Sequence, residues 1–560
     1  MPLPARRSAV RHPATRPAAV VVSLAAALVL AACSSGTDPG DADAGDATPV
    51  TGGTLTYASG DAEPTCLDPH VGGNYPQALV ATQFLEPLVG RDSSGEITPW
   101  LATDWEVSDD GLTWDFTLAD DVFFHDGTPL DAASVQASIE HLQDPATASS
   151  TGYLAVAKVE SVEPVDTQHV RFHLSAPDSA LLESLSQPWT AIQAASGLAR
   201  SQEENCAAPI GTGPFQVTDW VTQDHVELTR YEGYTSPPAD AEHDGAAYLD
   251  RIVWRFIPDS ATRYAALVAG DVDVIDNAQP DTIAQAENDD AIEHLDAPRP
   301  GSVNRLELNS GRAPFDDVRV REAFLHAAEV DPGIESLFFS TATRSHSPLS
   351  SVESMAVSDE DPLPYDPDAA AALLDEAGWV VGSDGVRVRD GERLTVRIPV
   401  STNQSIPAEV SLLEQIQASA REVGFDVQLD LLDLSSWYAA LAADDYEAVT
   451  APYTKVGPDV LRILYHSDGI VPAPSGYFAN LSQVALPELD ALLDEASLET
   501  DTDARAQLYA EAQRLVLEGR YILPLYDQQN HFLYRSDVRG LRALATVSTP
   551  TFADAWLAQG

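Results

Sequence analysis

His169 and His173 stand four residues apart, a spacing that on a helix would turn two imidazoles to one face and suit a metal pair. They lie in HVRFHL, whose alternation reads as a strand, so they are expected as surface positions rather than ligands. Paired carboxylates such as Asp109-Asp110 and Asp120-Asp121 are the residue type for acid–base work, yet 87 acidic residues make such pairs inevitable. The chain has no G-x-S-x-G elbow, no H-E-x-x-H and no phosphate loop, and GTGPFQ (211–216) lacks the third glycine of a dinucleotide fingerprint. No enzyme, metal or cofactor is expected. The remaining histidines are sparse and unclustered along the chain. Only two lysines occur, Lys158 and Lys455, which singles each of them out.

The three cysteines divide by context. Cys33 ends the uncharged run Ala18–Ala32, which follows Arg6, Arg7, Arg11 and Arg16. A basic head and a short apolar segment form an export signal, too short to span a bilayer. Leu30-Ala31-Ala32-Cys33 resembles the lipobox of bacterial lipoproteins, which implies cleavage before Cys33 and lipid attached to it. Residues 34–52 have no aromatic residue and are rich in Gly, Asp, Ser and Pro, so they read as a flexible tether. An ordinary secretory signal is the alternative. Cys66 and Cys206 remain, an even pair in an oxidising compartment, and a disulfide is expected; two buried free thiols are the alternative.

After the tether, composition describes a globular chain, 44% hydrophobic and 21% charged. A formal net charge of −56 argues against a nucleic-acid partner, because phosphates would be repelled. Strand and helix patterns alternate throughout, the signature of α/β architecture with mixed sheets. Strands are predicted at 52–59, 112–118, 122–127, 169–174, 225–231 and 251–257. A helix is predicted from Ala81 into a loop at Asp92, another over Asp131–Leu142 behind an acidic cap, and a third at 261–269 stopped by Gly270. Farther on, helices are expected at 318–329, 372–377 and 503–520. LTVRIPVS, a helix from Glu409 to Val423 and FDVQLDLLD make a βαβ unit.

Five stretches, in order, resemble the family-5 extracellular solute-binding proteins of ABC importers. They are LATDWEVSDDGLTWDFTLADDVFFHDGTPLDAASV (101–135), PIGTGPFQV (209–217), LNSGRAPFDDVRVREAF (308–324), PYDPDAAAALLDEAGW (364–379) and LPELDALLDEA (486–496). The resemblance implies a type II periplasmic-binding fold, with two lobes joined by two crossover strands and an extra subdomain inserted in the first lobe. Expected boundaries are signal 1–32, tether 33–52, lobe I 53–303 with an insert at about 91–208, lobe II 304–523, and a C-terminal return at 524–560. It also implies hinge closure around a ligand and docking on permease and ATPase subunits, by a monomer anchored outside the cytoplasm through its lipid.

Short peptides are the cargo such a resemblance first implies. A nickel chelate, an opine-like metabolite or an oligosaccharide in the same role, a receptor for a peptide signal without transport, and an exported hydrolase are the alternatives. Matched segments place the candidate contacts. TATRSHSPL (341–349) offers Arg344 for an anion, against a plain exposed arginine. APYTKVGPDVLR (451–462) offers Tyr453, Lys455 and Asp459, where Asp459 reads equally as a helix N-cap. Lys455 stands where other members are bulkier or acidic, which would favour an anionic ligand group. Trp437 and Tyr438 either line the cleft or belong to the core.

Overall fold

The computed structural model describes residues 48–357, 363–450, 453 and 455–558. The expected signal segment, Cys33 and most of the tether lie outside the described residues. No helix among those described is long and apolar enough to cross a membrane.

Thr54–Ser59 forms the middle strand of a seven-stranded sheet. The order is Ile292–Pro298, Gln529–Arg535, Val274–Ile275, Thr54–Ser59, Arg251–Phe256, His225–Arg230 and Phe215–Val221. Thr54–Ser59 runs parallel to both of its neighbours, and the other pairings are antiparallel. Its Tyr57 is fully buried and stacks on Trp254 of the adjoining strand, ring centres 3.9 Å apart.

A separate antiparallel sheet of Ala102–Val107, Thr113–Leu118, His169–Leu174 and Val159–Pro164 has its own core. Trp114, Phe116, Val170 and Phe172 point inward, under Val135 and Ile139 of the helix Ala132–Gln143. Asp131 caps that helix, its Oδ1 accepting from Ser134 N at 2.8 Å. His169 and His173 sit on the opposite face, each beside its own carboxylate, Asp166 and Glu163.

The sheet on the other side of the cleft has Asn304–Leu308 between Ala448–Thr450 and Ile522–Tyr526. Next to it Thr395–Ser401 and Asp426–Leu432 pair in parallel, connected by the helix Pro407–Val423. Val396, Ile398, Leu412, Leu413 and Ile416 close one core with Leu306 and Leu308. Two short segments join the two sides. Residues 299–303 lead out from Ile292–Pro298 to Asn304–Leu308, and Asp527–Gln528 leads back from Ile522–Tyr526 to Gln529–Arg535.

Two predicted elements differ. Residues 122–127 do not form a strand. Only Phe123 bridges, to Pro129, because Asp121 takes a φ of 60° and Asp126 Oδ1 accepts from Thr128 N at 2.9 Å to close a turn. The helix expected to start at Ala81 ends there instead, spanning Tyr75–Ala81. Asn74 caps it, accepting from Gln77 N, while Gln77 Oε1 accepts from Asn74 N at 3.0 Å. Beyond its end, the Phe84 carbonyl accepts from Gly213 N, and a Cβ on Gly211 would sit 1.9 Å from that oxygen. The glycines of GTGPF thus let one loop press on the next.

Cys66 and Cys206 are bonded across 140 residues. A loop of that length loses much conformational entropy when closed in the unfolded chain. The double variant Cys66→Ser/Cys206→Ser is expected to lose about 4–5 kcal/mol in urea unfolding.

Candidate functional site

The two crossing segments are tied to each other: Arg299 N donates to Gln528 O at 2.9 Å, and Gln528 Nε2 donates to Ser302 O at 2.7 Å. Above this junction lies a cavity of about 170 Å³ between the two sides. It is smaller than the roughly 300–1,000 Å³ of clefts that hold drug-sized ligands. Both sides contribute. Asp61 follows the strand Thr54–Ser59, Tyr75 opens the helix Tyr75–Ala81, and Asn530 and His531 come from Gln529–Arg535. Across from them stand Gln404 and Glu409 near the start of Pro407–Val423, Trp437 and Tyr438 from Leu434–Ala442, and Tyr453.

Arg299 is the cation of the cavity. Its guanidinium carbon sits 4.4 Å from the centre of the Tyr75 ring, and its side chain makes no hydrogen bond or ion pair with the described residues. Asp61 is buried and accepts a single side-chain hydrogen bond, from Asn277 Nδ2 at 3.3 Å. Burial, then the neighbouring Asp276, pushes its carboxyl up to about 7, against the opposing pull of Arg299. Asp276 is already saturated by Tyr57 Oη, Ser59 Oγ and Gly60 N. Glu409 is likewise occupied, accepting from Tyr526 Oη at 2.7 Å, Ser405 Oγ at 2.7 Å and Asn304 Nδ2 at 3.0 Å.

Five buried polar atoms on cavity-lining residues have no hydrogen-bond partner among the described residues: Arg299 Nε, Trp437 Nε1, Asn304 Oδ1, Gln404 Oε1 and Tyr453 Oη. Each such group costs about 1–3 kcal/mol if left unsatisfied, so two donors, two acceptors and a hydroxyl here await something. Tyr438 packs edge-on between Trp437 and Tyr477, with ring centres 5.1 and 6.0 Å away, giving one wall a flat apolar surface. The site can hold a small polar molecule between a cation and a carboxylate. It presents no nucleophile–base pair.

The description "Bacterial extracellular solute-binding proteins, family 5 Middle" matches residues 96–470. The chain belongs to this family. Family-5 proteins are the solute-binding components of ABC importers, and the architecture described above is the type II periplasmic-binding fold, with two lobes around a cleft. The glutathione-binding protein GsiB of Escherichia coli O1:K1 is 28% identical over 469 residues, covering 82% of this chain and 86% of that protein. The periplasmic binding protein DppA from Helicobacter pylori, solved in complex with the peptide STSA, superposes with a TM-score of 0.80. It is 25% identical, and the match covers 91% of this chain and 99% of that one. NikA from Brucella suis, solved with Fe(III)-EDTA, gives a TM-score of 0.75 at 27% identity, covering 90% and 100%.

Of the residues proposed from sequence, Trp437, Tyr438 and Tyr453 line the cavity. Arg344, Lys455 and Asp459 do not. Arg344 is held by Asp331 at 2.7 Å and by the carbonyls of Ser345, Pro524 and Leu525, so it braces the lobe instead of meeting an anion. It is not the exposed arginine of the alternative either. Lys455 is buried and paired with Asp459 at 3.2 Å, and Asp459 also accepts from Tyr509 Oη. Asp459 makes no side-chain cap to the helix that follows. The histidines are not unclustered in space. His531 at the cavity margin accepts or shares a proton with His294 at 3.1 Å, and its Nε2 donates to Thr341 O across the cleft.

Sequence reading missed Arg299, Asp61, Asn304 and Gln404. Asp61, Arg299 and Gln404 sit in short connections and Asn304 opens the strand Asn304–Leu308, and the one available signal was an arginine in the Pro-Arg-Pro-Gly turn that leaves a strand.

Lys455→Ala strands the buried Asp459 charge. It is expected to cost about 3–5 kcal/mol in chemical unfolding while leaving the affinity of the folded protein for its ligand unchanged. For Asp61, the folded-state carboxyl titrates above its unfolded value. Its contribution to stability is full below about pH 4 and is lost as pH rises towards 7. Asp61→Asn is therefore expected to raise the melting temperature at pH 8 and to have little effect at pH 4, as followed by calorimetry.

Proposed function

We propose that the cleft takes a compact zwitterion of amino-acid or short-peptide character and hands it to the permease of an ABC importer. Arg299 carries the reading. A guanidinium that makes no hydrogen bond or ion pair with the described residues, set over an aromatic face and beside an underbonded carboxylate, is a receptor for a ligand carboxylate, with Asp61 receiving the ammonium. Trp437 Nε1 and the free oxygens of Asn304 and Gln404 then orient the amide and polar groups between these ends.

The small cavity favours two or three residues over longer peptides. The relatives' own ligands, glutathione for GsiB and the tetrapeptide STSA for DppA, are short peptides, three and four residues long. An opine-like metabolite has the same paired charges and is the second reading that Arg299 and Asp61 support; an oligosaccharide has neither. Cys33 carries the lipid in this proposal, and the tether 34–52 keeps the binding domain close to its permease, raising its effective concentration there.

Native mass spectrometry of the exported domain tests the cargo, with extra masses of short peptides expected. A lone non-peptide mass would shift the cargo to the opine class. With a bound di- or tripeptide as titrant, Arg299→Ala is expected to weaken binding by about 30- to 4,000-fold, the range for removing one partner of a buried charge pair. Affinity should also fall as pH drops below about 7, approaching tenfold per unit, because the ammonium needs ionised Asp61. Unchanged affinity in Arg299→Ala would sink the reading.

A further inference from the structure

Remote from the cavity, the loop after Cys66 meets the helix Ala132–Gln143 through three side chains, Asp68, His70 and His141. Their ligating atoms all lie within 4.8 Å of one another. Proton bookkeeping fixes both tautomers. His70 Nε2 lies 2.9 Å from the carbonyl of Ala191, which only accepts, so Nε2 carries the proton. His70 Nδ1 is then a bare lone pair, fully buried and without a partner.

His141 is fixed in the same way. Thr147 Oγ1 donates its one proton to the His141 carbonyl at 2.6 Å, so toward His141 Nδ1, at 3.2 Å, it accepts. Neutral His141 therefore turns a lone pair from Nε2 onto Asp68 Oδ2, 3.1 Å away. Asp68 itself is positioned by three further donors: His70 N and Gln193 Nε2 on Oδ1, and Asn205 Nδ2 on Oδ2. Two imidazole nitrogens and a carboxylate oxygen thus lie within 4.8 Å of one another, with lone pairs to offer. A proton on His141 would satisfy Asp68 and leave His70 Nδ1 orphaned; a metal cation satisfies all three.

We propose that Asp68 Oδ2, His70 Nδ1 and His141 Nε2 bind a divalent cation of the zinc class, with a water in the fourth position. Ligand bonds of about 2.0–2.2 Å in a tetrahedron put ligand atoms about 3.3 Å apart. The His141–Asp68 edge, at 3.1 Å, already has nearly that length, and the two edges to His70, at most 4.8 Å, would shorten on binding. Each imidazole has the outer hydrogen bond that orients a metal ligand, to Ala191 O and to Thr147 Oγ1. His141 retains 19% side-chain exposure, which gives the entry side. None of the three lines the interlobe cavity, so the site is structural. It pins the four-stranded unit to the loop that the Cys66–Cys206 bridge also holds.

The exported chain, dialysed against Zn²⁺ and then against metal-free buffer, is expected to retain one zinc per chain by mass spectrometry of the elements. Replacement by Co²⁺ should give the visible absorption of a tetrahedral site. His141→Gln and His70→Gln should each weaken zinc binding by about 100-fold or more, with far-ultraviolet circular dichroism unchanged. If the buried His70→Gln variant does not fold, His141→Gln decides. Zinc at background in the wild type would overturn the proposal. So would zinc retained in the folded variants, or zinc abolished only by His294→Ala, which would put the cation at His294, Asp296 and His531. Peptide binding is not read in this experiment, so its outcome is independent of the proposed cargo.

Discussion

Two chain crossings that bond to each other set what the rest of this molecule can do. Arg299 N to Gln528 O and Gln528 Nε2 to Ser302 O join the segments at the base of the cleft. Every other connection between strands stays on its own side, so each side closes a core of its own. Thr54–Ser59 and its neighbours bury Tyr57 and Trp254, and Asn304–Leu308 buries Leu306 and Leu308 against the βαβ unit. The lobes also touch elsewhere: Ala78 and Trp189 pack on Val456, Arg91 pairs with Glu353, and Arg505 pairs with Glu183. The crossings are where the chain itself passes from one side to the other. Arg299 occupies one of them. In the proposed function, a hinge with the cation at its base would make ligand contact and lobe closure a single event.

Burial alone does not separate binding residues from structural ones here; partners do. Arg305 and Glu307 are fully buried and paired at 2.6 Å, with Ser302 and Val303 O taking further guanidinium protons and Ser482 completing the carboxylate. Lys455 and Asp459 repeat the pattern, as does Arg344 among its carbonyls. Such closed groups have little left for a ligand, and losing one member leaves an uncompensated charge. Arg299, Trp437, Asn304 and Gln404 are the reverse case: buried or half-buried, and unspent.

That distinction also explains what the sequence could tell. Local rules carried the elements: Asp131 as a cap, Gly270 at φ 77° as a helix stop, alternation in TLTYAS and RIVWRF, and the parallel register of Thr395–Ser401 with Asp426–Leu432. They failed at 81–92 and 122–127, where contacts from the distant GTGPF loop and a local Asx turn overrode periodicity. For the cleft, residue type put Trp437 and Tyr453 in reach, although Trp437 also packs into a core cluster with Leu441 and Tyr446. Lys455 misled. As one of two lysines it drew attention, yet its partner lies four residues away on the same turn of chain, and rarity says nothing of pairing. Arg299 was overlooked for the converse reason. Only its Pro-Arg-Pro-Gly turn marks it locally, and its having no hydrogen bond or ion pair with the described residues is a property of the folded chain alone.

The charge of the whole chain bears on what reaches that arginine. At a net −56, the acidic surface repels polyanions and draws ligands with an exposed ammonium. This field fades beyond about 8 Å in physiological salt, so it acts on encounter and not on the bound state. Within the cavity the sign reverses locally at Arg299, where burial strengthens the attraction for a carboxylate. A dianion gains at the second stage what it loses at the first, whereas a zwitterion is penalised at neither. Under the proposed function, surface and site favour the same class of molecule by different ranges of one force, and the underbonded carboxylate of Asp61 stands beside the cation for that reason.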